Sequence, residues 1–131
     1  MSIYIARSGD ITRNPLGYVA GKIHKTLKTM TDEEYLRSAI DYLETQPNLT
    51  SLARGAYTYK CPNLVVNSWL RFPIYEADFG WGKPLLAGRG GVTFDGLSYL
   101  VPRVNREDGV LLMISLLTQH MILFEKYFYD F

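Results

Sequence analysis

The sequence predicts an α/β unit, with helices first, strands next and a closing helix, so that a mixed sheet carries flanking helices. Three observations predict it. In the first third, apolar residues recur at helical spacing. Later come three runs rich in β-branched, aromatic and aliphatic residues, Leu64 to Leu70, Gly96 to Val101 and Gly109 to Leu116. Between the first and second of these lie Gly80, Gly82, Pro84, Gly88, Gly90 and Gly91, which break regular structure.

Each element has a local reason. Residues 2–6 alternate weakly and read as a strand end. Asp10 and Asn14-Pro15 mark a helix start, with Pro15 suited to the first turn. Leu16, Ala20, Ile23, Leu27 and Met30 then form one apolar stripe, and Lys22, Lys25 and Lys28 lie off it. Thr31-Asp32-Glu33-Glu34 fits a capping box, with Thr31 as the cap and Glu34 reaching back. The helix it opens carries Tyr35, Leu36, Ala39, Ile40 and Leu43 on one face and stops at Gln46-Pro47-Asn48. Pro102 to Asp108 is polar and turn-like, so the two runs beside it are expected to pair antiparallel. Thr118 is the expected cap of a last helix bearing Met121, Phe124 and Phe128. The expected layout is one partial domain over residues 1–131. Its helices span about 14–46, its strand-rich part about 63–117 and its terminal helix about 118–129.

Bulk composition removes several function classes. At 131 residues the chain can bury one modest core. A net charge of +1 makes no electrostatic case for nucleic acid or an acidic membrane. One cysteine, Cys61, excludes an internal disulfide and a cysteine metal cluster. No run has the apolar length of a membrane span, and Met1 to Arg7 lacks the apolar core of a signal peptide. A cytoplasmic location is the expectation. Aromatics reach 14%, ten of them tyrosine, which requires either large buried areas or an open aromatic surface.

Asp78-Phe79-Gly80-Trp81-Gly82 is the densest signal in the chain. Two glycines, two aromatics and an acid in five residues call for a tight backbone bend, aromatic packing and one fixed charge. The run resembles the C-terminal signature of the BAHD plant acyltransferases. Arg54-Gly55-Ala56-Tyr57-Thr58-Tyr59-Lys60-Cys61-Pro62-Asn63-Leu64 and Ser68-Trp69-Leu70-Arg71-Phe72-Pro73-Ile74-Tyr75 resemble the shikimate or quinate hydroxycinnamoyltransferase branch of that family. So do Asp41-Tyr42-Leu43-Glu44, Gly96-Leu97-Ser98-Tyr99 and the ending from His120-Met121 to Tyr129-Asp130. Two positions depart from that branch. Asn67 stands where shikimate-using members usually carry Thr, and Arg89 replaces a Pro in a Gly-Pro-Gly-Gly turn.

The resemblance implies the C-terminal part of a two-domain fold like chloramphenicol acetyltransferase. It implies acyl transfer from an acyl-CoA thioester, used as co-substrate with no bound cofactor and no metal, to a small hydroxylated acceptor such as shikimate or quinate. The family's catalytic His-x-x-x-Asp is absent from this sequence, so the catalytic residue is expected outside it. Two alternatives stay open. One is a truncated, non-catalytic remnant that binds acceptor weakly or associates with other chains. The other is a family member with a different alcohol or amine acceptor. No nucleic-acid or membrane partner is expected, and the sequence does not set the oligomeric state.

Asp78 is expected to be structural, holding its loop by pairing with an arginine. Gly80 and Gly82 would take backbone angles or close contacts closed to other residues. Phe79 and Trp81 would pack the loop against the core. By the resemblance, Arg71 would grip an acceptor carboxylate through paired hydrogen bonds. It reads equally as an exposed strand arginine or the partner of an acid such as Glu76. His24 and His120 lack the downstream Asp of the catalytic motif and read as helix-surface residues. Cys61, with no base beside it in sequence, reads as a small buried hydrophobe. Gly88-Arg89-Gly90-Gly91 lacks the Lys-Ser/Thr of a phosphate-binding loop and reads as a turn.

Overall fold

A computed structural model describes residues 3–53, 56–104 and 109–130. The chain divides into two compact units, Met1–Ala53 and Arg54–Asp130.

The first unit is helical. Helix α1 spans Ser8–Arg13, α2 spans Leu16–Thr29 and α3 spans Glu33–Glu44, and a 3₁₀ turn follows at Leu49–Leu52. Residues 3–7 carry no strand, contrary to the sequence expectation, because this extended stretch finds no ladder partner. Pro15 sits at the cap of α2 with extended backbone angles, one residue before the first helical turn. The cap of α3 is Asp32, not Thr31. The Asp32 carboxylate accepts the Tyr35 N–H at 2.9 Å, while the Thr31 hydroxyl donates back to the Lys28 carbonyl at 2.8 Å. A shorter reach to the third helical amide favours Asp32. Arg37 and Glu33, one turn apart, form an exposed ion pair at 2.7 Å. None of the three helices buries a residue, so the apolar stripes at Leu16, Ile23, Leu27, Leu36 and Ile40 stay open.

The second unit holds a three-stranded mixed sheet. Strand β1 is Val65–Ser68, β2 is Leu97–Pro102 and β3 is Val110–Ile114, in the order β1-β2-β3. β1 runs parallel to β2, with Val65 opposite Leu97 and Ser68 opposite Leu100. β2 and β3 are antiparallel, with Ser98 opposite Ile114 and Pro102 opposite Val110. The turn expected over Pro102 to Asp108 lies partly outside the described residues. Helix α4, Thr118–Tyr127, closes the unit. No side chain caps it at the Leu117 cap position, so Thr118 does not play the expected role. Instead the Asp95 carboxylate accepts the Leu117 N–H at 3.1 Å.

The central strand supplies the core. Leu97, Tyr99 and Val101 are buried, with Tyr59, Val65, Trp69, Val92 and Met113 packed against them. Ser98 and Pro102 on the other face are also buried, which is the behaviour of a strand covered on both sides. The Ser98 hydroxyl donates to the Val65 carbonyl at 3.0 Å, so its burial leaves no polar atom unpaired. Pro102 can sit in a central strand because β1 ends opposite Leu100, and no β1 carbonyl awaits its missing N–H.

Gly96 forms the corner into β2. Its N–H donates to the Ser115 carbonyl at 2.8 Å, and its carbonyl accepts the Val65 N–H at 2.7 Å, so one residue is tied to both flanking strands. Its φ is +73°, and a Cβ there would stand 2.4 Å from the Asn63 carbonyl oxygen. Both facts require glycine. Gly96→Ala is expected to cost roughly 2–4 kcal/mol, the sum of left-handed strain and a backbone clash. Gly90→Ala, where a Cβ meets nothing within 4 Å, should stay within about 0.5 kcal/mol. Urea unfolding of the two variants measures the difference.

Candidate functional site

The chain between β1 and β2, residues 69–96, holds most of the candidate site residues. A parallel pair needs such a crossover, and here its one regular element is a 3₁₀ turn, Ile74–Glu76. A crossover of this length built mainly of irregular backbone is the form that binding loops take. Two braces hold it. The Trp69 N–H donates to the Leu100 carbonyl at 2.8 Å, extending the strand pairing, and the Trp69 ring meets Tyr99 edge-on at 5.3 Å. Further along, the Tyr75 hydroxyl accepts the Ala87 N–H at 3.3 Å.

Asp78 closes the tightest part of the loop. One carboxylate oxygen accepts two backbone amides, from Gly80 at 2.8 Å and from Gly82 at 3.1 Å. Both glycines have φ near +95° and open space where a Cβ would be, so backbone angle and not close contact sets the need for glycine. The five-residue signature is thus a carboxylate folded onto its own amides, where the sequence reading looked to an arginine.

Phe79 and Trp81 are 82% and 93% exposed. They do not pack against the core of this chain, contrary to the sequence expectation. The Asp78 hydrogen bonds turn the loop back on itself, and both rings project from the bend.

Arg71 lies just beyond β1, exposed, and makes no hydrogen bond or ion pair among the described residues. Glu76, its candidate partner from the sequence, does not engage it. Two shallow cavities open along the same crossover. One of about 310 Å³ is lined by Phe72, Ile74, Tyr75, Lys83, by Pro102 at the end of β2 and by Arg103 just past it. The other, about 500 Å³, is apolar and lined by Trp69, Phe72, Leu86 and Gly88. Arg71 lines neither. Arg89 donates to the Tyr99 hydroxyl and lays its guanidinium 5.2 Å from that ring's centre, so the Gly88 to Gly91 cluster ties back to the central strand.

His24 is exposed on α2, and His120 is half-buried in the first turn of α4. Cys61 is exposed, not buried, and its Sγ lies 3.9 Å from His120 Nε2. The sequence reading missed this pair because the two residues are 59 positions apart. No group of three or more His, Cys, Asp or Glu side chains suited to a metal is present among the described residues.

If the Asp78 carboxylate holds the loop, Asp78→Ala should speed hydrogen exchange at the Gly80 and Gly82 amides and cost about 1 kcal/mol. Asp78→Asn keeps an acceptor oxygen and should retain much of the protection. Removing Trp81, by contrast, should change stability by less than about 0.5 kcal/mol, because the ring is open to solvent. Exchange read by NMR and thermal melts of the variants check these outcomes.

A family model described as Transferase family matches residues 1–131. The chain is 52% identical over 127 residues to Shikimate O-hydroxycinnamoyltransferase of Nicotiana tabacum, covering 97% of this chain and 29% of that protein. It is 46% identical to a Hydroxycinnamoyltransferase of Narcissus pseudonarcissus, over 96% of this chain and 29% of the relative. It is also 46% identical to a Hydroxycinnamoyl-CoA:5-hydroxyanthranilate N-hydroxycinnamoyltransferase of Avena sativa, over 97% of this chain and 28% of the relative. The chain therefore spans about three tenths of the length of these curated relatives. Matched along its whole length, the chain belongs to the Transferase family, the BAHD acyltransferases, and its mixed sheet and helices fit the C-terminal part of that family's chloramphenicol-acetyltransferase-like fold.

Proposed function

We propose that this chain forms the C-terminal part of an acyl-CoA-dependent transferase that moves a hydroxycinnamoyl group to a carboxylated acceptor such as shikimate, quinate or an aromatic amino acid. The observation that carries the reading is Arg71, a guanidinium on the crossover with no partner among the described residues. An arginine left without a counter-ion can take a carboxylate through two parallel hydrogen bonds. The acceptors in the relatives' names support this choice, since shikimate and 5-hydroxyanthranilate both carry a carboxylate.

The chemistry divides between this chain and the rest of the enzyme. A histidine of the family's His-x-x-x-Asp motif, in the region that the relatives have and this chain does not span, takes the proton from the acceptor. The freed oxygen or nitrogen attacks the thioester carbonyl, and coenzyme A leaves as the thiol. Such a base contributes about a hundredfold or more. This chain contributes acceptor binding through Arg71 and a rigid platform through Trp69, Tyr99 and the Asp78 to Gly82 bend. The Gly88 to Gly91 turn is assigned no role toward coenzyme A. Among the described residues no helix is long and apolar enough to cross a membrane. A cytoplasmic enzyme fits the exposed free thiol of Cys61.

Two readings compete over the acceptor. An alcohol is favoured by the tobacco relative and an amine by the oat relative. Arg71 serves either, because the guanidinium would read the carboxylate and not the nucleophile.

The test is a chimera in which this chain replaces the matching segment of the tobacco relative. The chain alone should release no coenzyme A from p-coumaroyl-CoA with shikimate, and the chimera should release it at ordinary enzymatic rates. Arg71→Ala in the chimera removes a charge-assisted contact worth about 1.5–3 kcal/mol, a ten- to hundredfold loss in kcat/KM for a carboxylated acceptor. Arg71→Lys should recover part of it. Acceptors without a carboxylate should be spared. An equal loss for acidic and neutral acceptors would mean that Arg71 supports the fold instead.

A further inference from the structure

We propose that Cys61 and His120 form a reactive thiol–imidazole pair, a site of reversible mixed-disulfide formation with a low-molecular-weight disulfide of the glutathione type. The geometry is tertiary. Cys61 lies in the turn before β1, and His120 lies in the first turn of α4. The sulfur and Nε2 are 3.9 Å apart, within hydrogen-bonding range for sulfur. Each partner is anchored by backbone. The Asn63 N–H donates to the Lys60 carbonyl at 2.9 Å and the Asn63 side chain donates to the Tyr57 carbonyl at 3.0 Å, which shapes the turn around Cys61. The His120 N–H donates to the Leu117 carbonyl at 2.8 Å, and Asp95 holds the Leu117 amide.

Three facts give the pair its chemistry. Cys61 is exposed, so a small disulfide can reach the sulfur. His120 is half-buried, which restricts its ring beside that sulfur. Cys61 is the single cysteine of the chain, so no second thiol within it can resolve the adduct. The thiolate is the attacking species, and a neutral imidazole in contact can take the thiol proton as the bond forms.

The step balances without a further reagent. The Cys61 sulfur attacks one sulfur of the small disulfide, a new S–S bond forms, and the original S–S bond breaks. The departing thiolate takes up the proton that His120 Nε2 received. Cys61 is oxidised to the mixed disulfide, and one sulfur of the reagent is reduced to a free thiol.

The experiment follows adduct formation by intact mass on this full chain with oxidised glutathione at pH 7. One glutathionyl group per chain is expected, and none on Cys61→Ser. The folded chain should react about tenfold faster than the same chain unfolded in urea, where no imidazole is held at the sulfur. His120→Gln should lower the folded rate by a similar factor while circular dichroism shows the fold retained. The folded-to-unfolded comparison decides the matter even if every His120 variant fails to fold. A folded chain that reacts no faster than the unfolded one, or a folded His120→Gln protein that reacts at the wild-type rate, overturns the proposal.

Discussion

The second unit depends on the corner at Gly96. Its amide binds the carbonyl of Ser115 beyond β3, and its carbonyl binds the amide of Val65 at the start of β1. Between them these two bonds set the register of both neighbours of β2. The Asn63 carbonyl lies so close to the Gly96 Cα that a single methyl group would force the strands apart. A positive φ at this one residue lets the chain enter β2 with Leu97, Tyr99 and Val101 on the core side. A slip of one residue would send that set to the opposite face.

The crossover from β1 to β2 is tied back to the central strand near both of its ends. Trp69 is tied by its amide to Leu100 and by its ring to Tyr99. Arg89 reaches the same Tyr99 from the far end of the crossover. Tyr99 therefore receives both ends of the segment that presents Arg71 and the Asp78 bend. Charge and packing stay separate here. The buried residues of β2 are neutral, and the charged groups lie on the loop above them.

The Asp78 bend illustrates self-sufficiency of a different kind. One carboxylate oxygen serves the Gly80 and Gly82 amides, so these two donors are satisfied within the loop. Its two aromatic rings are left outside. Phe79 and Trp81 therefore contribute exposed aromatic surface and not core.

Periodicity determined much of the fold. The stripes at Leu16, Ile23 and Leu27 and at Leu36, Ala39 and Ile40 mark two helices, and the apolar runs mark three strands, because side-chain period follows backbone geometry. The Asp-Phe-Gly-Trp-Gly run carried the resemblance to the family that the match over residues 1–131 then showed, and its two glycines take the positive φ that other residues avoid. Capping was harder to read. Asp32 and not Thr31 accepts the Tyr35 amide, and Asp95, remote in sequence, accepts the Leu117 amide, neither of which local pattern singled out. Tertiary structure alone decided which groups meet across long separations. It placed Cys61 against His120, left Arg71 without Glu76, turned Phe79 and Trp81 outward, and seated Arg89 on Tyr99. Local pattern reports the forces between neighbours in the chain, whereas these pairings depend on how the crossover returns to the sheet.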